Sequence, residues 1–75
     1  MKEQIARLLK NMGFEVRIYP AALFVYLKNR HITKQEVLDA LADPAFEEYT
    51  MRSSYDAHHY GLRGVIIWVG FQGAE

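Results

Sequence analysis

Apolar residues recur with helical spacing at the start of the chain. Four of them lie at positions i, i+3, i+4 and i+7, namely Ile5, Leu8, Leu9 and Met12. This spacing places their side chains on one face of an α-helix. Gly13 follows and can adopt the left-handed conformation in which many helices end. The pattern predicts a first helix over residues 2–12.

Two segments with the period of a β-strand come next. Apolar and polar residues alternate over residues 14–19, which indicates a strand with one buried face. Pro20 and Ala21 then favour a tight turn. Residues 22–28 are predicted to return as the second strand of this hairpin. Its residues alternate between two faces, with Leu23, Val25 and Leu27 on one and Phe24, Tyr26 and Lys28 on the other.

A second helix has boundary signals at both ends. Thr33 can act as its N-cap, and Glu36, three residues later, completes a capping box. Proline disfavours helical angles in the residue before it, so Asp43 and Pro44 are expected to end the helix. The pattern predicts a helix over residues 34–43.

The rest of the chain predicts two further strands. Residues 46–52 indicate a third strand, although charged residues lie near its start. Residues 53–63 are expected to form a long loop or the flared end of a hairpin. Residues 64–71 predict a fourth strand that is apolar on both faces, and residues 72–75 are expected to form a frayed tail.

These elements define one α+β domain over residues 1–75 with the order αββαββ. The repeated order leaves an internal duplication open. Two helices and four strands favour a four-stranded, mainly antiparallel sheet with both helices packed on one face. Strands 2 and 4 are apolar on both faces and are expected at the centre of the sheet. Strands 1 and 3 carry more charge and suit its edges.

Composition narrows the classes of function. The chain has 75 residues and no cysteine, which excludes disulfides and thiolate metal sites. An apolar content of 51% is too high for a disordered chain, and it favours a partner that covers apolar surface. No signal-peptide pattern follows the charged start, and no apolar run approaches the roughly 20 residues of a membrane span. We therefore expect a cytoplasmic protein without a membrane partner.

The net charge is zero, but the charges are unevenly distributed along the chain. Residues 1–34 contain seven basic and two acidic residues, whereas residues 35–75 contain two basic and seven acidic residues. Either the fold has a basic surface that meets an anionic partner, or the two halves mix in space and the asymmetry disappears. The sequence leaves both interpretations open.

The sheet face opposite the helices is the principal functional candidate. It is predicted to combine aromatic and cationic side chains, namely Arg17, Tyr19, Phe24, Tyr26, Lys28, Arg52 and Trp68. In the fourth strand, Val65, Ile67 and Val69 could lie on this face instead of Ile66 and Trp68. Left bare, the face would exceed the apolar patch usual for a soluble monomer.

Three explanations of such a face compete. Two sheets can pack face to face in a homodimer. Bases of single-stranded nucleic acid can stack on the aromatic rings while Arg17, Lys28 and Arg52 meet phosphate, although zero net charge disfavours this. Alternatively, the long loop or the tail folds over the face and nothing binds there.

The predicted loop contains most of the reactive groups. Its candidate residues are Asp56, His58, His59, Tyr60 and Arg63. Zinc sites need three or four convergent ligands, and adjacent histidines point to opposite sides of an extended segment, so no metal site is predicted. Ser53 or Ser54 with a histidine and Asp56 has the residue types of a nucleophilic triad but lacks the strand–elbow–helix context. A solvated polar loop is the simpler interpretation.

The segment before the second helix offers a further candidate. Residues 28–31 carry cationic or titratable groups next to free helix amides, and this combination could hold a phosphate. An ordinary solvated turn explains the same residues.

The sequence thus predicts a small non-enzymatic interaction module that acts through its exposed sheet face. Its partner is predicted to be a second copy or another protein. The alternative is a nucleic-acid-binding domain that uses the aromatic and basic residues of the same face. No cofactor is predicted.

Overall fold

The computed structural model describes residues 2–50, 53–60 and 64–71, with side chains for residues 2–49, 57, 58 and 64–68. Its elements are α1 (Lys2–Asn11), β1 (Glu15–Tyr19), β2 (Ala22–Tyr26), α2 (Lys34–Leu41), a short 3-10 turn (Pro44–Phe46), α3 (Glu47–Thr50), β3 (Ser53–Tyr60) and β4 (Gly64–Phe71). The predicted tail lies outside the described residues. None of the helices in the described part of the chain is long and apolar enough to cross a membrane.

The four strands form one sheet in the order β1-β2-β4-β3, and every pair is antiparallel. The predicted α+β class, the four-stranded antiparallel sheet and the central positions of β2 and β4 are therefore confirmed. Helix α1 packs mainly on β1, whereas α2 and α3 pack on β3. The helices thus divide one face of the sheet between them.

The core lies between this face and the helices. Alternate strand residues point into it, and the sheet and helices contribute Leu23, Val25, Val65, Ile67, Ile5, Leu9, Val37 and Phe46, all fully buried. Burial along the helical faces and at alternate strand positions is the pattern expected of a two-layer domain, and Ile18 near the end of β1 departs from it with 44% exposure.

Helix α1 ends as its glycine predicts. The amide of Phe14 donates to the carbonyl of Leu9 at 3.1 Å, and the amide of Gly13 donates to that of Lys10 at 3.0 Å. Gly13 has a φ of 102°, the left-handed conformation that this end of a helix favours. Met12 therefore lies in the turn and is 40% exposed, although its spacing predicted a place on the buried helical face.

Helix α2 begins at the predicted cap. Thr33 Oγ1 accepts a hydrogen bond from the amide of Glu36 at 3.1 Å. The carboxylate of Glu36 in turn accepts hydrogen bonds from both terminal guanidinium nitrogens of Arg30, at 3.0 and 2.8 Å. The helix ends at Leu41, two residues before the predicted end, because Asp43 already caps the next turn.

The predicted third strand over residues 46–52 is wrong for residues 46–50. Residues 44–50 are helical, since Asp43 Oδ1 accepts from the amide of Ala45 at 2.9 Å and Pro44 occupies the first helical position. Proline is favoured there because its missing N–H would have no partner in any case. The signal that ends α2 therefore also starts a new helical turn.

Residues 53–63 were expected to form a long loop or the flared end of a hairpin, and the loop is wrong for residues 53–60. Residues 53–60 form β3, which pairs with β4 along eight register positions from Ser53 opposite Phe71 to Tyr60 opposite Gly64. Pairing with a strongly apolar neighbour outweighs the polar composition of this segment, as strand preferences depend on context. Residues 51, 52 and 61–63 lie outside the described part of the chain.

Candidate functional site

The sheet presents its second face away from the helices. Because successive strand residues alternate between the two faces, the residues next to the buried core residues along each strand point to the opposite side. We call this surface the open face, and its described residues are Glu15, Arg17, Tyr19, Ala22, Phe24, Tyr26, His58, Gly64, Ile66 and Trp68. Of the two alternatives for the fourth strand, the structure thus selects Ile66 and Trp68, since Val65 and Ile67 are fully buried.

Strand register arranges the open face in three rows across the sheet. The first row runs Tyr19, Ala22, Trp68 and the backbone position of Asp56. The second runs Arg17, Phe24, Ile66 and His58. The third runs Glu15, Tyr26, Gly64 and the backbone position of Tyr60. Residues from all four strands therefore contribute to one surface.

An aromatic pair lies at the centre of the open face. The rings of Phe24 and Tyr26 are stacked, with centroids 5.4 Å apart and planes 25° from parallel. The Phe24 ring also lies over Gly64, where an added Cβ atom would overlap it. A glycine inside a strand often marks such a close approach, so this contact has a sequence signal, but its partner depends on the register.

Arg17 places a cation beside these rings. Its Cζ atom lies 5.6 Å from the ring centroid of Tyr26, a cation–π geometry. Side-chain hydrogen bonding to Tyr26 and, to a smaller extent, to Tyr19 raises the pKa of Arg17 above its usual value. The open face therefore carries a permanent positive charge on its β1 side.

A wide groove lies at the end of the open face near the turn between β1 and β2. Its volume is about 720 Å³, and it is lined by Arg17, Tyr19, Pro20, Ala21, Ala22, Phe24, Ile66 and Trp68. The rings of Tyr19 and Trp68, on either side of Ala22 in the register, are 49% and 48% exposed. Large exposed apolar side chains around a small residue form a surface that can receive a ring or a short apolar chain.

Lys28, a second cation predicted on the open face, contributes less than expected. Lys28 follows the end of β2, and its Nζ atom lies 3.8 Å from Glu15 Oε1 in an exposed ion pair. Arg52 lies outside the described residues. Arg17 is therefore the one cation that the structure places among the rings, within the part of the chain that it describes.

Four of the five candidates in the predicted loop belong to β3. His58 is exposed and lies opposite Ile66, while Asp56 lies opposite Trp68 in the register. His59 and Tyr60 are placed in β3 by their backbones alone, and Arg63 lies outside the described residues. Within the described side chains, no three His, Asp or Glu residues come close enough to hold a metal ion.

The start of α2 does not bring free cations to the helix amides. Arg30 is engaged by Glu36, whose carboxylate lies next to the first helical turn. Hydrogen bonding to Arg30 lowers the pKa of Glu36, and the same contact raises the pKa of Arg30. The protein's own carboxylate thus occupies the position that an anion would need.

The uneven charge along the chain persists in space. Exposed basic residues Arg7 and Lys10 lie on α1, beside β1. Exposed acidic residues lie on or next to α2 and α3, beside β3, namely Asp39, Asp43, Glu47 and Glu48. The two halves of the chain mix in part, because Arg30 of the first half pairs with Glu36 of the second, but these described residues leave the β1 side of the sheet more basic and the β3 side more acidic.

No protein-family model matches the chain, and neither the curated proteins nor the solved structures contain a significant match. The functional argument therefore depends on the open face itself.

Proposed function

We propose that the protein is a small, non-enzymatic interaction module that acts through the open face, and that its first partner is a second copy of itself. The observation that carries this proposal is the pair of half-exposed rings, Tyr19 and Trp68, on either side of an apolar groove. Clustered apolar surface of this kind marks interaction sites in soluble proteins.

Chain length supports a partner of the same kind. A 75-residue chain forms a small core and buries only about 60% of the surface that its unfolded form exposes. Packing two open faces against each other would give each copy a second apolar layer, as in a β-sandwich with sheets about 10 Å apart. Such a homodimer requires no further component.

Single-stranded nucleic acid is the second candidate for the same surface. Exposed rings beside Arg17 provide stacking surfaces next to a cation, which is the combination such proteins use. The zero net charge and the ion pair between Lys28 and Glu15 weaken this candidate, because affinity for nucleic acid depends mainly on neutralising phosphates. We therefore place it second.

Sedimentation analysis over a range of micromolar concentrations tests the proposal. We expect the wild-type protein to change from monomer to dimer and Trp68→Glu to remain monomeric, because the variant would bury a carboxylate without a partner. Met12→Glu is the matched control, since Met12 is also a large exposed apolar residue but lies in the turn after α1. It should dimerise like the wild type.

Two results would overturn the homodimer. One is a wild-type protein that stays monomeric at the highest concentration, and the other is unchanged dimerisation of Trp68→Glu. Titration of the monomer with a single-stranded oligonucleotide at low salt would then test the second candidate, because stacking on Trp68 quenches its fluorescence. Absence of quenching would exclude base stacking on this ring.

A further inference from the structure

We propose that two copies stack through their open faces with the two-fold axis running along the strands, so that β1 of each copy lies over β3 of the other. This arrangement rests on the homodimer proposed above and goes beyond it, because it names the residues that meet. Face-to-face sheets keep their strands within about 30° of each other in aligned packing, which leaves two ways to place a two-fold axis in the interface.

When the two-fold axis runs along the strands, the second copy has its strands in the reverse order above the first. Each row of one copy then lies over the same row of the other. Ala22 then lies beneath Trp68 of the second copy, and Phe24 lies beneath Ile66. The groove above Ala22 in each copy receives the indole ring of the other, and the contact is reciprocal, as a two-fold interface requires. Arg17 lies over the position of His58 in the second copy.

When the two-fold axis runs across the strands, each strand of one copy lies over the same strand of the other. The order of the rows is then reversed between the two copies. Ala22 then meets Tyr26, and Trp68 meets Gly64. The Phe24 ring of the same copy already covers Gly64, so this position has no room for the indole ring. The middle row also disfavours this axis, because Arg17 would lie directly over Arg17 of the second copy.

Charge selects the axis along the strands. Arg17 remains ionised, and opposing two such groups across a partly desolvated interface is unfavourable. The axis along the strands instead separates the two arginines by the width of the sheet.

The size of the open face predicts a weak dimer. Four strands about 4.8 Å apart and five residues at about 3.3 Å each give a flat footprint of roughly 19 Å by 17 Å, about 300 Å². Standard interfaces bury about 800 Å² per partner. We therefore expect a concentration-dependent dimer, and the arrangement should be tested at protein concentrations where sedimentation detects that dimer.

Cross-linking distinguishes the two axes directly. The chain contains no cysteine, so the variants Arg17→Cys and His58→Cys each carry a single thiol at an exposed position of the middle row. With the axis along the strands, residue 17 lies about 10 Å from residue 58 of the second copy, whereas identical positions lie about 17 Å apart. With the axis across the strands, these distances are exchanged.

A bismaleimide whose span matches the roughly 10 Å between stacked sheets should therefore give a several-fold higher yield of cross-linked dimer in a mixture of the two variants than with either variant alone. His58→Cys alone is the decisive control, because it keeps Arg17. Efficient cross-linking of this variant to itself, or equal cross-linking of all samples, would overturn the arrangement. If sedimentation detects a dimer and cross-linking gives either of these patterns, only the arrangement is wrong and the homodimer stands. If sedimentation detects only monomer, the homodimer proposal itself is wrong.

Discussion

The two faces of the sheet are both rich in apolar residues, yet within the described residues the helices cover only one of them. On the helix-covered face, Leu23 and Val25 are fully buried. On the open face, Tyr19 and Trp68 stay about half exposed, although they belong to the same hairpin and its neighbouring strand. Apolar content alone therefore does not say which surface maintains the fold and which one is available to a partner.

The difference lies in the kind of side chain at each face. The covered face uses aliphatic residues that pack against helices without any polar group to satisfy. The open face uses aromatic rings, two of which carry hydroxyl groups and one of which has a cation above it. Such amphipathic rings tolerate water and still bury well, which is why they are enriched at interfaces.

Truncating one residue of each face should give the largest contrast. Leu23→Ala removes a fully buried side chain and should lower the free energy of unfolding by about 3 kcal/mol, through lost burial and a residual cavity. Trp68→Ala should cost the monomer less than about 1 kcal/mol, since half of the ring is already in water. Urea unfolding at concentrations below dimer formation measures both. Equal losses would contradict the division between the faces.

Gly64 offers a test inside the open face. Gly64→Ala places a Cβ atom where the Phe24 ring lies and should cost about 1–2 kcal/mol by overpacking. The loss should become smaller in the background Phe24→Leu, because a smaller side chain leaves room, and a double-mutant cycle measures that coupling.

Gly13→Ala is the matched control for this cycle. Nothing lies within 4 Å of a Cβ atom at Gly13, but its φ of 102° disfavours any other residue. Its cost, also about 1 kcal/mol, should be the same with Phe24 or Leu at position 24. Coupling at Gly13, or none at Gly64, would show that the ring contact does not determine the cost.

Local signals predicted α1, α2 and the first hairpin. Periodicity and a terminal glycine define α1, and Thr33 with Glu36 defines the start of α2. These signals depend on residues three to five positions apart, so a single sequence is enough to recognise them. Strand alternation likewise predicted the first hairpin's part of the open face, including Arg17 and Phe24, but it left open which residues of the fourth strand lie there.

The rest depends on contacts between distant segments. Asp43 and Pro44 end one helix and begin another turn, and the sequence alone did not reveal the second role. The polar segment 53–60 becomes a strand because β4 is available beside it. Likewise, the groove over Ala22 requires the register of three strands, and that register is fixed by the whole core.

Acidification should have the smallest effect and should separate the two faces once more. Hydrogen bonding to Arg30 lowers the pKa of Glu36 below its ordinary value of 4.5. This contact therefore contributes stability that is fully present above about pH 4.5, and the contribution is lost as the pH falls through the lower pKa of the folded state. The site lies at the start of α2, away from the open face, so stability should fall over this interval without a specific change in dimerisation.

Urea unfolding as a function of pH measures the loss, and Glu36→Gln should remove this part of the pH dependence while leaving the sedimentation profile at neutral pH unchanged. A variant that kept the full pH dependence would assign it to other carboxylates, and one that altered dimerisation would link α2 to the open face.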